Sequence, residues 1–159
     1  MTKSALRTAI LQELHEELDR QAKAAALARD EAISEESQPE NKWDTHSQEA
    51  AYLAEGQARL VIEIGESLAF YQSLPMPEFA KGDAIAVGAI VGVQTGNHTS
   101  WYFMGPRAGG LECEVDGRKI LVITPQSPVG RQLVGRRVGD TILLPGGGSR
   151  SPTPITHVE

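Results

Sequence analysis

Two apolar stripes run through the first half of the chain. In each, apolar or small side chains recur at an average spacing of 3.5 residues, which predicts a helix with one apolar face that pairs with a second helix. The first stripe consists of Leu11, Leu14, Leu18, Gln21, Ala25, Ala28 and Ala32. The second consists of Ala50, Ala54, Gln57, Val61, Ile64, Leu68 and Tyr71. A polar segment with one proline, 34–43, separates the stripes. The pattern therefore predicts two helices of roughly 26 residues each that fold back antiparallel as a coiled-coil hairpin.

In the second half, short β-branched runs alternate with turn residues. They predict six strands, at 84–93, 99–104, 111–115, 118–124, 141–144 and 155–158. A short helix is predicted at 127–134, because Pro128 fits the first helical position. Asp116 and Gly117 predict a tight hairpin turn. Two prolines in 75–82 indicate a linker, since proline ends a helix and favours an extended path.

The sequence thus predicts an α+β protein with two unlike parts. Residues 1–74 form the helical hairpin, 75–82 the linker, and 83–159 a small, mostly antiparallel sheet domain with one short helix. Glycine and proline distribution agrees with this division, because residues 75–159 contain 14 of the 16 glycines and eight of the nine prolines.

Composition excludes several classes of protein. The chain of 159 residues has no run of 18 apolar residues, so we expect no membrane span. Its N-terminus lacks the apolar core of a signal peptide. A single cysteine, Cys113, excludes an internal disulfide framework and fits a reducing cytoplasm. Because Cys113 alternates with Leu111 and Val115, we expect a small core residue rather than a reactive thiolate.

The charge of the chain is concentrated in one window. The formal net charge is −6, and residues 30–49 contain seven acids and one lysine, so this window carries the whole excess. Broad binding to a phosphate backbone needs a basic face and is disfavoured. The acids are either a solvated turn between the two helices or part of a divalent-cation site. Mg²⁺ is commonly held by one or two carboxylates together with water and substrate phosphates, so exposed acids could complete a site inside a partner.

The start of the second helix leaves two alternatives for Asp44. Thr45 and Gln48 fit a capping box, which would leave the Asp44 carboxylate free. If Asp44 is itself the N-cap, backbone amides occupy its oxygen. The four histidines are isolated, with no metal-ligand spacing and no nucleophile–base motif.

One segment carries a family resemblance. Residues 124–140, TPQSPVGRQLVGRRVGD, resemble a signature of the GreA/GreB family of bacterial transcript-cleavage factors, with its Ser-Pro start, two glycines and closing Gly-Asp. The layout of 1–74 and the triplets at 49–51 and 55–57 are similar to the family's helical hairpin. The resemblance implies an FKBP-like antiparallel sheet domain that docks at the rim of the RNA polymerase secondary channel, while the hairpin enters the channel. Nucleic acid would be met only indirectly, through the elongation complex.

The resemblance also implies site residues. Asp44 and Glu40 would be the tip acids that help hold the catalytic Mg²⁺ of the polymerase, so the protein would bind no metal stably alone and would not itself be an enzyme. Further tip candidates are Glu35, Glu36, Asn41 and Trp43. The polymerase-docking candidates are Ser127, Pro128 and Val129.

The tip departs from the family pattern. Where the family has Asp-x-x-Glu-Asn, this chain has NKWDT at 41–45. The first acid is replaced by the amide of Asn41, which cannot ionise, and the second is the shorter Asp44. We therefore predict altered or absent cleavage stimulation with channel binding retained. The alternative is a module of the same fold with a non-polymerase partner, or a homodimer built on the helices, although we expect a monomer. A third hypothesis, a peptidyl-prolyl isomerase from the FKBP-like half, is disfavoured because the three aromatics clustered at 101–103 cannot line a pocket.

Overall fold

The computed structural model describes residues 2–36, 46–144 and 151–159. The elements in chain order are helix α1 (Lys3–Glu36), helix α2 (His46–Ser73), strands β1 (Ile90–Thr95), β2 (His98–Met104), β3 (Glu112–Val115) and β4 (Arg118–Ile123), helix α3 (Pro128–Leu133), and strands β5 (Thr141–Ile142) and β6 (Thr153–Val158). The α+β fold class predicted from the sequence is confirmed.

The predicted apolar stripes are the buried faces of α1 and α2. Every stripe residue whose side chain is described is buried or half-buried, with Leu14, Ala28 and Leu68 among the buried ones. Residues of both helices line a common groove: Ala25, Ala26, Arg29, Asp30 and Ile33 from α1, and Ala54 and Ala58 from α2. The helices therefore lie side by side. Near the start of α1, the Arg7 guanidinium donates to Leu74 O, just after the end of α2. Later residues of α1 share the groove with earlier residues of α2, so the helices run antiparallel.

Helix α1 is longer than the apolar stripe predicted. It has 34 residues, against 28 in α2. Its first turns carry Leu6 and Ile10, both fully buried, four residues apart and hence on one face. The chain divides into two compact units. One consists of Met1–Glu13 together with Phe70–Glu159, and the other consists of Leu14–Ala69. The first turns of α1 thus belong to the same compact unit as the sheet.

The sheet has six strands in the order β3-β4-β2-β1-β6-β5. Four neighbouring pairs are antiparallel, and the pair β2 and β4 is parallel. The sheet is therefore mostly antiparallel, as predicted, and mixed because of this parallel pair. Strand β3 does not pair with β2 directly. The tight β3–β4 turn reverses the chain, so that β4 lies between β3 and β2 and runs parallel to β2. Asp116 and Gly117 form this turn with φ of 52° and 73°, as predicted.

The predicted strand at 84–93 is wrong over its first six residues. Strand β1 begins only at Ile90, because the preceding segment turns. Ala89 N–H donates to Ala86 O at 3.0 Å, and Gly88 has φ of 99°, a conformation that suits glycine and interrupts a strand. The other predicted strands agree with the structure to within two residues at each end.

The main core lies between one face of the sheet and α3. Val91, Met104 and Leu133 are fully buried in it. Strand β5 ends at Ile142, and the next residue pairs with a side chain instead. Gln132 Oε1 accepts the Leu143 N–H at 2.8 Å, and its amide nitrogen donates to Leu143 O. Cys113 is 5% exposed, which confirms it as a core residue.

The segment after α2 is held by side chains from the start of α1. The Lys3 ammonium donates to the carbonyls of Pro77 and Gly88 and lies 4.6 Å from the centre of the Phe79 ring. The Arg7 guanidinium donates to Leu74 O. Burial lowers the pKa of Lys3 against the opposing pull of nearby carboxylates. Among the described residues, no helix is both long and apolar enough to cross a membrane.

Candidate functional site

The predicted tip lies almost wholly outside the described residues. The structure places Glu35 and Glu36 at the end of α1. Glu40, Asn41, Trp43 and Asp44 fall in the 37–45 segment, so their roles stay predictions. The choice between Thr45 and Asp44 as N-cap of α2 falls in the same segment.

Acids that flank this segment are described and exposed: Asp30 and Glu31 on α1, and Glu49 in the first turn of α2. In the described ranges, no group of three or more His, Cys, Asp or Glu side chains comes together as a metal site. Asp30 also lines the groove between the two helices. The charge predicted for this end of the helices is thus present on both of them.

The predicted docking residues lie at the start of α3. Ser127 is the N-cap: its hydroxyl accepts the Gly130 N–H at 3.1 Å and donates to Thr124 O at 2.8 Å. Pro128 is exposed at the first helical position, and Val129 is half-buried against the core. The Ser127 hydroxyl is therefore engaged within the domain, and Pro128 is the most accessible of the three predicted residues. Docking itself stays a prediction for all three.

The other signature residues meet local requirements of the fold. A Cβ at Gly130 would lie 1.7 Å from Thr124 O, so only glycine fits there. Gly135 and Gly139 have φ of 80° and 94°, which glycine adopts without strain. The Asp140 carboxylate accepts the backbone N–H of Arg137 at 2.8 Å. The signature thus encodes a capped helix followed by a tight turn.

Cations of the same segment were not assigned a role from the sequence. Arg131, Arg136 and Arg137 are all exposed. Val134, the C-cap residue of α3, is 43% exposed. The signal that identifies them is their density, since three arginines fall within seven residues of a chain whose net charge is −6.

Trp101 occupies the opposite face of the sheet from α3. Its ring centre lies 5.2 Å from that of His157 and 4.5 Å from the Arg118 guanidinium. Gly92 on β1 is paired with Trp101 on β2 and with His157 on β6. A Cβ at Gly92 would lie 3.0 Å from the Trp101 side chain and 3.1 Å from the His157 side chain. The two rings therefore pack over the glycine. Arg118 also pairs with Glu159 at 3.7 Å, so the cluster is satisfied internally.

No protein-family model matches this sequence, and no curated protein matches it either. Solved structures do resemble the chain along most of its length. GreA factor homolog 1 (Gfh1) of Thermus thermophilus is 15% identical, with 94% of each chain covered and a TM-score of 0.38. A structure described as the transcription factor Gfh1 is 20% identical, with 94% of this chain and 93% of that one covered and a TM-score of 0.41. Gfh1 of Thermus aquaticus is 15% identical, with 92% of each covered and a TM-score of 0.36. At such values, the likeness assigns no role to any residue of this chain.

Proposed function

We propose that this protein binds RNA polymerase and regulates transcription elongation by placing its paired helices in the secondary channel. The observation that carries the proposal is the combination of two elements in one chain. A pair of antiparallel helices of 34 and 28 residues precedes an α+β domain in which the segment 124–140, similar to the Gre signature, folds as a capped helix and turn. In this proposal the sheet domain docks on the polymerase, and the end of the helices carries the acids.

The proposed contribution of the tip is electrostatic. Asp44 and Glu40 would offer carboxylate oxygens to the catalytic Mg²⁺ of the polymerase, the ligand type that this ion prefers. The protein supplies no reaction centre of its own in this scheme. Asn41 can offer only a neutral oxygen, which binds Mg²⁺ less strongly than a carboxylate. The expected result is occupancy of the channel with weak or absent stimulation of transcript cleavage.

A stalled, backtracked elongation complex tests the proposal. We expect the wild-type protein to bind core polymerase and to compete with a known secondary-channel factor, while it stimulates RNA cleavage weakly or not at all. The triple variant Asn41→Asp, Asp44→Glu, Thr45→Asn restores the family pattern. It should raise cleavage by about tenfold or more, and further replacement of Glu40 by Ala tests the second assigned acid.

Glu49→Ala is the matched control, because it removes an exposed acid of the same window that lies on α2. It should leave both competition and cleavage unchanged. Failure of the wild-type protein to bind polymerase would contradict the proposal. If the wild type does stimulate cleavage and the double variant Glu40→Ala, Asp44→Ala stimulates it equally, the assignment of the tip acids is wrong.

Exposed apolar side chains on α1 and α2 favour a second candidate, a homodimer built on the helices. Leu27 is 72% exposed, Tyr52 73% and Ile62 61%, and a second copy could cover such residues. Sedimentation at increasing concentration distinguishes the two. A doubling of mass that Leu27→Ser and Ile62→Ser abolish, without affinity for polymerase, would support the homodimer and contradict the first proposal.

A further inference from the structure

Exposed cations surround α3 on the sheet domain. They come from α3, from the turn after it and from the segment before β1, and they are Lys81, Arg131, Arg136 and Arg137. We call these four residues the α3 basic surface. The chain as a whole has a net charge of −6, so this surface has the opposite sign to the acidic window between the two long helices.

Backbone hydrogen bonds bring the two contributing segments together. Gly135 N–H donates to Ile85 O, and Ile85 N–H donates to Arg136 O, both at 2.8 Å. The Arg137 guanidinium donates to Gly82 O, beside Lys81. The turn that carries Arg136 and Arg137 therefore lies against the segment that carries Lys81.

The same turn connects directly to α3. Arg136 N–H donates to Leu133 O at 3.0 Å, which keeps the turn against the last residues of the helix. Arg131 stands in the last turn of α3. All four cations thus belong to one contiguous part of the domain.

Nearby carboxylates are already engaged by backbone groups. Asp83 accepts the Ala80 N–H at 2.7 Å, and Asp140 accepts the Arg137 N–H at 2.8 Å. Within the described part of the chain, the side chains of Lys81, Arg131 and Arg136 make no ion pair or hydrogen bond. Among the described residues, no partner engages these three charges, so they are available to a ligand.

Exposed apolar side chains accompany the cations. Val134 is 43% exposed and Leu143 is 46% exposed, and Gln132 holds the Leu143 backbone beside α3. Arginine mixed with apolar contact area is typical of protein–protein interfaces, whereas interfaces with nucleic acid are more polar and more strongly positive. The composition therefore favours a protein partner.

We infer that the α3 basic surface binds an acidic, partly apolar segment of a protein partner. The inference rests on the proposed function, since the acidic segment is then part of RNA polymerase. The predicted docking residues Pro128 and Val129 open the same helix, so the basic surface would extend that contact. Its charges would accelerate association and make it sensitive to salt.

Charge reversal in the full-length protein tests the inference. Arg136→Glu and Arg131→Glu should each weaken binding to core polymerase by about tenfold or more in 0.1 M salt. Lys119→Glu is the matched control, because Lys119 is an exposed cation on β4 of the same domain and the change in net charge is the same. It should shift the Kd by less than about twofold. Thermal unfolding of each variant verifies that the domain is folded.

Salt dependence and nucleic acid complete the test. Binding of the wild type should weaken more steeply between 0.05 and 0.3 M salt than binding of the double variant Arg131→Glu, Arg136→Glu. If the wild type binds polymerase and the double variant binds it as tightly as Lys119→Glu does, the inference is overturned while the proposed function stands. If the wild type binds no polymerase, both are overturned. Binding of the wild type to a 20-nucleotide RNA that the double variant loses, with polymerase binding unchanged, would also overturn the inference.

Discussion

Gly130 leaves no room for a side chain, whereas Gly65 has open space around it. A Cβ at Gly130 would lie 1.7 Å from Thr124 O and 2.7 Å from Thr124 C, both backbone atoms. At Gly65, inside α2, the Cβ position meets no described atom within 4 Å beyond the adjoining backbone of the helix itself. Replacement by alanine should therefore change the stability of the protein in opposite directions at these two glycines.

Gly130→Ala should destabilise the protein by about 3 kcal/mol or more, because the turn before α3 must move to admit the methyl group. Gly65→Ala should stabilise it by about 0.5–1 kcal/mol, since alanine loses less backbone entropy in a helix. Denaturant unfolding measures both. Equal effects of the two substitutions would contradict this account of the α3 turn.

Cys113 gives the stability a dependence on alkaline pH. Burial raises the pKa of its thiol from 9.0 to about 11. Between these values the unfolded chain loses the proton while the folded chain keeps it, so stability falls as pH rises through this window. Between pH 8 and pH 10.5, we expect the wild type to lose about 2 kcal/mol more than Cys113→Ala does. Parallel loss in the two proteins, measured by urea unfolding, would show that the thiol does not contribute.

Among the elements, α1 carries leucines in two different environments. Leu6 is fully buried in its second turn, and Leu27 is 72% exposed in its later part. Helical periodicity places Leu6 with Ile10 and Leu14 on one face, while Leu27 lies off that face. Substitution of these two leucines therefore compares a buried position with an exposed position on the same helix.

Leu6→Ala should destabilise the protein by about 2–5 kcal/mol, the usual range for a cavity in a core. Leu27→Ala should change stability by less than about 0.5 kcal/mol, because no buried contact is lost. Unfolding by guanidinium, followed by circular dichroism, measures the pair. A large cost at Leu27 would instead indicate that a second molecule covers this position.

For the whole molecule, the compact unit that contains the sheet also contains the start of α1 and the end of α2. Met1–Glu13 and Phe70–Glu159 form this unit. Leu6, Ile10 and Tyr71 are fully buried in it. Tyr71 donates its hydroxyl hydrogen to Arg107 O at 2.6 Å, and its ring centre lies 6.4 Å from that of Phe103. The sheet domain therefore depends on residues far from it in sequence.

A fragment of residues 75–159 should lose its cooperative unfolding transition. It lacks three fully buried side chains, each worth about 1.5–3 kcal/mol, a total comparable to the stability of a small domain. A chain that joins 1–13 to 70–159 through a glycine–serine linker of about 12 residues should unfold cooperatively. Calorimetry compares the two. A sharp transition in the 75–159 fragment at the Tm of the full chain would show that these side chains are dispensable.

The candidate site was predictable from sequence only where its signal is local. Ser127 and Pro128 start a helix in the structure as their residue types indicate. The pairing of Arg136 with the segment at Ile85 joins positions 51 residues apart, and no periodicity reports it. The tip acids Asp44 and Glu40 were assigned through a resemblance alone, so they stay predictions.

The sequence by itself determined the two long helices, their buried faces and the Asp116-Gly117 turn. Each of these depends on contacts or backbone preferences within about four residues, which the order of side chains specifies directly. Only the tertiary structure decided that β4 runs parallel to β2, that Gly92 accommodates Trp101 and His157, and that Leu6 belongs to the unit of the sheet. These features depend on which surfaces meet across long stretches of chain. The packing of the whole core decides which surfaces meet, and a short segment of sequence does not specify that packing.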